Sequence, residues 1–218
     1  MASSFFEPIE LNEQPQELFR KSKLTDLTLL IEGQELHFAK YPLMVGSHVF
    51  TQMIEDSVDQ SRLLLDGVAY EDMISFLQCL HPKKFQSITD KNLVRVAKVA
   101  HQFQHEGILT RCNDYIIQQF MEKRESLDGM YPQFFFHLGI AEQYDLRKAL
   151  EVGLSSTQLK KAYFSSSKKY IKVGESSTNV RGYENDLHFS NLTSETKMKI
   201  LINRLKIAES KIPYDRPY

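Results

Sequence analysis

Short apolar runs and turn residues alternate along the first half of the chain in an order that predicts strands before helices. Residues 27–32 and 35–38 are β-prone runs on either side of Gly33, which can adopt the positive φ of a tight hairpin. Residues 62–66 form a third, mostly apolar run that ends at Gly67 and suits a buried strand. We therefore expect a hairpin and a third strand to form one small sheet.

Four segments of the first half repeat apolar residues at helical spacing, and each is predicted to be an amphipathic helix. These segments are residues 41–54, 70–80, 89–103 and 108–121, and Val45 lies on the apolar side of the first. Thr89 is placed to cap the third of them, and Gly107 to end it. Strands followed by helices indicate an α+β fold, with a small β-sheet flanked by helices.

The second half predicts a helical extension and less regular segments. Its first part has a weaker helical periodicity, with helices expected at 134–144, 146–154 and 157–164. Ser155 or Ser156 can cap the last of these. A Ser/Asn/Gly-rich stretch without a sustained period follows, and then Thr193 or Ser194 can cap a last helix. The predicted organisation is an N-terminal tail at 1–13, a domain at 14–124, the helical extension at 131–164, a flexible connector at 165–190, a C-terminal helix at 191–210 and a tail at 211–218.

Composition and charge narrow the class of protein. The 27 Lys and Arg residues nearly balance the 28 Asp and Glu residues, so the chain is not expected to bind nucleic acid. Cys79 and Cys112 are the two cysteines, and both lie in apolar helical contexts typical of buried thiols in a reducing compartment. Because no apolar run approaches the ~20 residues of a membrane span, we expect a cytoplasmic or nuclear protein.

The sequence gives little support for an enzymatic function. His101 and His105 are four residues apart on a predicted helix, the spacing that lets two imidazoles bind one metal ion, so a metal-dependent enzyme or sensor is one hypothesis. No HExxH motif, paired Cys-x-x-Cys or Gly-rich phosphate loop accompanies them, and two partly exposed histidines are the preferred interpretation. We predict no enzymatic activity, no cofactor and no metal.

A basic stretch interleaved with aromatic residues lies in the predicted connector and just before it. Its members are Lys168, Lys169, Lys172, Arg181, Tyr163, Phe164 and Tyr170. Such a stretch could contact RNA or an acidic partner. A solvated linker is the preferred interpretation.

The first half resembles a BTB/POZ domain. The run TDLTLLIEGQELHFAKYPLMVGSHVFTQMI is similar to the family's opening hairpin and helix, through Asp26, Gly33, Lys40, Leu43, Ser47 and Phe50. RLLLDGVAYEDMISFLQCL and NLVRVAKVAHQFQHEGILTRCNDYI resemble its next strand and later helices, with Ala97, Ile108 and Cys112 at recurring positions. The resemblance covers about residues 14–121. Ala39 replaces a frequent His, and His81 with Pro82 replaces a frequent Tyr-Thr-Gly turn.

The resemblance implies a non-enzymatic assembly module, because BTB domains usually dimerise. Leu18 and Phe19 lie where many members have a dimerising helix, although packing of this pair on its own domain is an equal alternative. Asp26 and Lys40 lie where several members have a charged pair near the dimer interface. The resemblance thus implies a homodimer interface that includes these four residues.

Many BTB proteins also bind a cullin-3 scaffold and bring a protein substrate to a ubiquitin ligase. They often do so with an apolar residue followed two positions later by Glu. This chain offers Ile54 with Asp56, and Val58 with Gln60, neither of which is the full pattern. A solvated acidic loop is the alternative interpretation. The resemblance thus implies a cullin-3 adaptor with an unidentified substrate, or a BTB scaffold or transcriptional regulator outside any ligase.

Overall fold

The computed structural model describes residues 18–122, 131–159 and 187–209 of the chain, which divides into two units between residues 108 and 109. The first unit contains β1 (Leu27–Ile31), β2 (Gln34–Phe38), α1 (Lys40–Gly46), α2 (His48–Glu55), β3 (Arg62–Leu64), α3 (Tyr70–Leu80) and α4 (Leu93–Gln102). Helix α5 (Glu106–Glu122) begins there and continues into the second unit, which contains α6 (Tyr131–Gln143), α7 (Arg147–Leu159), α8 (Leu187–Asn191) and α9 (Ser194–Glu209).

The three strands form one sheet in the order β2-β1-β3. The hairpin prediction is confirmed, because β1 and β2 are antiparallel and joined by Glu32 (φ 50) and Gly33 (φ 76), the two positive φ values of a tight hairpin turn. The third strand is parallel to β1, with Leu29 opposite Leu63. One face of β1 is buried because alternate residues of a strand point to the same side, and Ile31 on that face is fully covered.

The predicted helix at 41–54 is two helices, α1 and α2, separated at Ser47. Ser47 has an extended backbone (φ −148, ψ 118), and its hydroxyl accepts a hydrogen bond from the Phe50 backbone N at 3.1 Å. The same hydroxyl donates to the carbonyl of Phe103. An N-cap of this kind begins a new helix, and the break turns Val45, which the apolar spacing assigned to the core, outward to 68% exposure.

Stacked aromatic rings form the core of the first unit. Phe50 stacks on Phe103 with centroids 4.5 Å apart and on Phe76 at 6.3 Å. Cys79 is also fully buried, as the sequence predicts. The core therefore joins α2, α3 and the end of α4.

The predicted limits of α4 are wrong at both ends. Thr89 is not the cap: the helix begins at Leu93, and the Asn92 side chain organises the preceding turn by accepting the Thr89 backbone N at 2.8 Å. The helix ends at Gln102, and Gly107 instead lies in the first turn of α5.

His105 therefore lies outside α4, so it does not share a helix with His101. Its ring is buried, with 3% exposure, which corrects the expectation of a partly exposed histidine. In the described part of the chain, no three His, Cys, Asp or Glu side chains are grouped as a metal site would require. Nor is any helix there long and apolar enough to cross a bilayer.

In the second unit, α8 packs on α6 through aromatic contacts. Phe189 is buried, and its ring lies 5.2 Å from that of Phe135. The predicted flexible connector is therefore wrong over residues 187–190, which are helical, and its remainder lies outside the described residues. The basic stretch between Tyr163 and Arg181 also lies outside them.

Helix α7 is longer than predicted. It extends to Leu159, so Ser155 and Ser156 lie inside it and do not cap a further helix. Their hydroxyls donate to backbone carbonyls of the same helix, at 2.8 and 2.7 Å. The rest of the predicted helix at 157–164 lies outside the described residues.

The start of α9 is capped by Thr193, one of the two predicted residues, whose hydroxyl accepts the Thr196 backbone N at 3.3 Å. Glu142 of α6 binds the same turn, accepting the Thr193 backbone N at 2.9 Å and its hydroxyl at 2.5 Å. Burial alone would raise the pKa of Glu142, but these bonds, with Thr196 and the charge of Lys197, lower it overall. The ionised carboxylate thus holds α9 to α6.

Glu142→Gln is expected to lower the free energy of unfolding by about 1 kcal/mol at neutral pH, the usual contribution of such hydrogen bonds. A lowered folded-state pKa contributes stability that is present above the unfolded pKa and is lost as the pH falls through the folded value. Thermal unfolding of wild type and variant should therefore differ at pH 7 and converge in acid. Glu151→Gln, at an exposed position on α7, is the control. A difference that persists unchanged in acid would contradict this role.

Candidate interaction surfaces

The loop at 56–61 presents the most exposed large apolar side chain among the described residues. Val58 lies at its tip with a relative exposure of 108%. The hydroxyl of Ser57 donates to the carbonyls of Asp59 and Arg62, at 3.0 and 3.2 Å. Asp59 in turn accepts the Ser61 backbone N at 2.9 Å. The loop is therefore tied across its base, with an apolar side chain at its tip.

The carboxylate of Asp59 stays ionised beside Val58. The hydroxyl and backbone N of Ser61 lower its pKa, and the charge of Arg62 adds to this effect. A charged acceptor next to an exposed apolar side chain can anchor a partner through both burial and hydrogen bonding. This acceptor was not among the residues selected from the sequence, because its role depends on how the loop folds back on itself.

The structure separates the four residues predicted to bind cullin. Ile54 is buried, with 3% exposure, so it belongs to the core and cannot be an accessible anchor, which corrects that prediction. Val58 is exposed on the loop, together with Asp56 and Gln60. Only the pairing of Val58 with Gln60 thus keeps an accessible apolar member.

An open groove of about 530 Å³ lies beside the loop. The end of α1, helix α2 and the start of α5 line it. Met44 and Val45 come from α1, and the polar side chains include His48, Gln52, Glu55, Gln104 and Glu106. Glu55 is the last residue of α2 and leads directly into the loop. The loop thus starts where the wall of the groove ends, and the two together are here called the docking face. Sequence reasoning missed the groove because its two sides come from distant segments.

Phe19 is a core residue of its own chain. Its exposure is 2%, and its ring lies 6.2 Å from Phe38 and 6.1 Å from His81. Its carbonyl accepts the His37 backbone N at 3.0 Å, so this segment runs beside β2. Of the two alternatives for the Leu18–Phe19 pair, internal packing holds for Phe19, which is therefore not an exposed dimer contact, and Leu18 is half-buried.

Asp26 and Lys40 are brought together, but through the backbone. Asp26 accepts the Lys40 backbone N at 2.7 Å. Because Ala39 provides no side-chain cap for α1, this carboxylate satisfies a donor at the start of the helix. Asp26 thus positions α1 at the surface.

Helix α1 exposes a second apolar face. Tyr41 and Val45, four residues apart and hence on one side of the helix, are 75% and 68% exposed. They lie next to the position of Lys40 at the start of the same helix. Val45 also lines the groove, so this face borders the docking face. We call this the α1 face. Sequence reasoning missed it because the apolar spacing ran unbroken into α2.

The comparisons with known proteins match part of the chain to a protein family. A BTB/POZ domain family model matches residues 16–120. BTB and MATH domain-containing protein 36 of Caenorhabditis elegans is 23% identical over 201 residues, which are 91% of this chain and 53% of that protein. The chain thus spans about half the length of that curated relative. The solved BTB domain of human gigaxonin is 17% identical, covers 51% of this chain and 99% of its own, and superposes with a TM-score of 0.37.

Proposed function

Since residues 16–120 form a BTB/POZ domain, a protein-interaction module, we propose that the chain is a homodimeric substrate adaptor for a cullin-3 ubiquitin ligase. The observation that carries the proposal is Val58, an exposed apolar residue on a tied loop beside a groove. An apolar anchor of this kind can contribute most of an interface's binding energy. Substrates would be selected by the second unit or by another subunit.

The docking face is the proposed cullin surface. Val58 would insert into an apolar pocket of the scaffold, with Asp59 and Gln60 as hydrogen-bond acceptors at the rim. Glu55 and Glu106 give the neighbouring groove a negative lining that suits basic side chains. Because the loop is already tied by its own hydrogen bonds, little entropy would be lost when it binds.

The experiment for the adaptor role is calorimetric titration of recombinant cullin-3 N-terminal domain into the full chain. A saturable complex with one scaffold per chain supports the proposal. Heat of dilution alone, from chain that is folded by circular dichroism, would contradict it.

The α1 face is the proposed dimer surface, together with Leu18, Asp26 and Lys40. Two exposed apolar residues on one helix can be covered by the same face of a second copy, since a two-fold interface pairs a patch with itself. Covering Tyr41 and Val45 in this way removes apolar area from water. Asp26 and Lys40 would lie at the rim of that patch.

Tyr41→Asp combined with Val45→Asp is expected to weaken the dimer by about thirtyfold or more, because two charges would be buried at its centre. Light scattering should show the mass shift toward that of the monomer. Leu187→Asp, a change at a 70% exposed residue of the second unit, is the control and should leave the mass unchanged. A folded double variant that keeps the dimer mass would exclude this face.

A second candidate function rests on Gln60. The family's cullin pattern has Glu two positions after the apolar residue, whereas this chain has an uncharged amide. A BTB scaffold or transcriptional regulator would dimerise and recruit partners without a cullin. The same titration distinguishes the two, because this candidate predicts a dimer without cullin binding.

A further inference from the structure

Two loops at the β2 edge of the sheet form a second polar surface. Residues 20–24 and 83–85 meet through the rings of Phe19 and His81, which are 6.1 Å apart. The Phe19 carbonyl accepts the His37 backbone N, so the first loop lies along β2. We call these two loops the basic surface.

The two loops of the basic surface are rich in basic residues. They contain five basic residues: Arg20, Lys21, Lys23, Lys83 and Lys84. No Asp or Glu occurs within residues 18–25 or 79–89, although the whole chain has a net charge of −1. Such an asymmetry attracts an anionic partner at moderate ionic strength.

Exposed apolar side chains lie among these cations. Leu24 is 80% exposed at the tip of a turn tied by Ser22 and Thr25, where the Ser22 backbone N donates to the Thr25 hydroxyl at 2.9 Å. Phe85 is 65% exposed between Lys84 and Gln86. The surface thus combines positive charge with two apolar anchors.

The backbone at Phe85 is strained for an aromatic residue. Its φ of 37 lies in the left-handed region, which suits Gly or Asn and costs other residues about 1 kcal/mol. Its backbone N donates to the His81 carbonyl at 2.7 Å, and that of Gln86 to the Gln78 carbonyl at 3.1 Å. A strained backbone that presents an exposed phenyl ring is an outlier of the kind found at binding sites.

We propose that the basic surface binds an acidic segment of a partner protein, with apolar side chains of that segment packed on Phe85 and Leu24. A protein segment is favoured because the surface belongs to a protein-interaction domain. The site goes beyond the adaptor function and is separate from the docking face. The loop that carries Val58 leads into β3, where the Ser61 carbonyl accepts the Thr28 backbone N at 2.8 Å, at the opposite edge of the sheet from β2.

Fluorescence anisotropy with the full chain tests the site. The probe is a labelled twelve-residue peptide of Glu, Asp, Phe and Leu, and its matched control replaces Phe and Leu with Ser. The acidic, apolar probe is expected to bind with a Kd on the order of 10–100 μM, at least about tenfold tighter than the control, and binding should weaken as salt is raised.

Two variants distinguish a loss of probe binding from a loss of folding. Phe85→Asn should weaken probe binding about tenfold while the melting temperature stays the same or rises, because Asn tolerates the left-handed backbone. Lys83→Glu with Lys84→Glu should weaken it at least as much. Lys148→Glu, at an exposed position on α7, is the charge control and should leave binding unchanged.

The proposal is overturned if the probe does not bind, or if its binding is unaffected by the Phe85 and lysine variants. Tighter binding of phosphatidylserine vesicles or of poly(U) RNA than of the probe would also overturn it, since the surface would then serve a membrane or a nucleic acid. These outcomes are independent of cullin binding.

Discussion

Replacing Gly46 by alanine is expected to lower the free energy of unfolding by about 3 kcal/mol, near the upper end for overpacking a protein core. A Cβ at this position would lie 2.0 Å from Cε1 and 2.1 Å from Nε2 of His105. Contacts this short require the ring or the helix to move. Gly46 is therefore needed for close approach and not for backbone freedom.

Moving the His105 ring costs free energy because the ring is hydrogen-bonded through both of its nitrogens. The Ile108 backbone N donates to Nδ1 at 3.3 Å, so Nε2 carries the proton and donates to the Pro42 carbonyl at 3.2 Å. The ring also meets Phe76 edge-on, with centroids 5.4 Å apart. Burial is the main reason that the pKa of His105 is lowered, which favours this neutral form.

Chemical denaturation of a double-mutant cycle measures the effect. In a His105→Ala background the ring is absent, so Gly46→Ala should cost less than about 1 kcal/mol. Gly107→Ala is the control, because a Cβ there would lie 3.6 Å from the same ring and in ordinary contact. Equal costs of Gly46→Ala in both backgrounds would show that another contact causes the loss.

Val58→Asp is expected to weaken cullin-3 binding by about thirtyfold or more, if Val58 is the proposed anchor. A carboxylate placed in an apolar pocket loses its hydration without gaining a partner. The variant should fold normally, since Val58 is fully exposed and supports no core. Calorimetry with the cullin-3 N-terminal domain gives the affinity, and Leu64→Asp, at an exposed residue of β3, is the control.

Gln60→Glu complements this variant. It restores the acidic residue that the family pattern has two positions after the apolar anchor, so binding should tighten several-fold by charge-assisted hydrogen bonding. Unchanged affinity in both Val58→Asp and Gln60→Glu would show that the loop is not part of the cullin interface.

The sheet was predictable from the sequence because its signals are local. Gly33 permits the hairpin, and the alternation along β1 directs one face inward. The break at Ser47 was not predictable from spacing, since the apolar period continues through it. It depends on the carbonyl of Phe103, which is 56 positions away in the chain. Burial of His105 likewise depends on the distant carbonyl of Pro42.

The same contrast between local signals and distant contacts applies to the candidate sites. Val58 could be selected from the sequence as an apolar residue in a polar loop, and the structure leaves it exposed. Phe19 could not be assigned, because an aromatic residue in a polar segment has the same pattern whether it packs internally or on a partner. The α1 face appeared only once Ser47 ended the helix and turned Val45 outward.

Light scattering of the full chain mixed with excess cullin-3 N-terminal domain tests the adaptor proposal most directly. We predict one complex whose mass corresponds to two copies of each protein. A mass that corresponds to the homodimer alone, with free cullin beside it, would contradict the adaptor role and leave the scaffold function in its place.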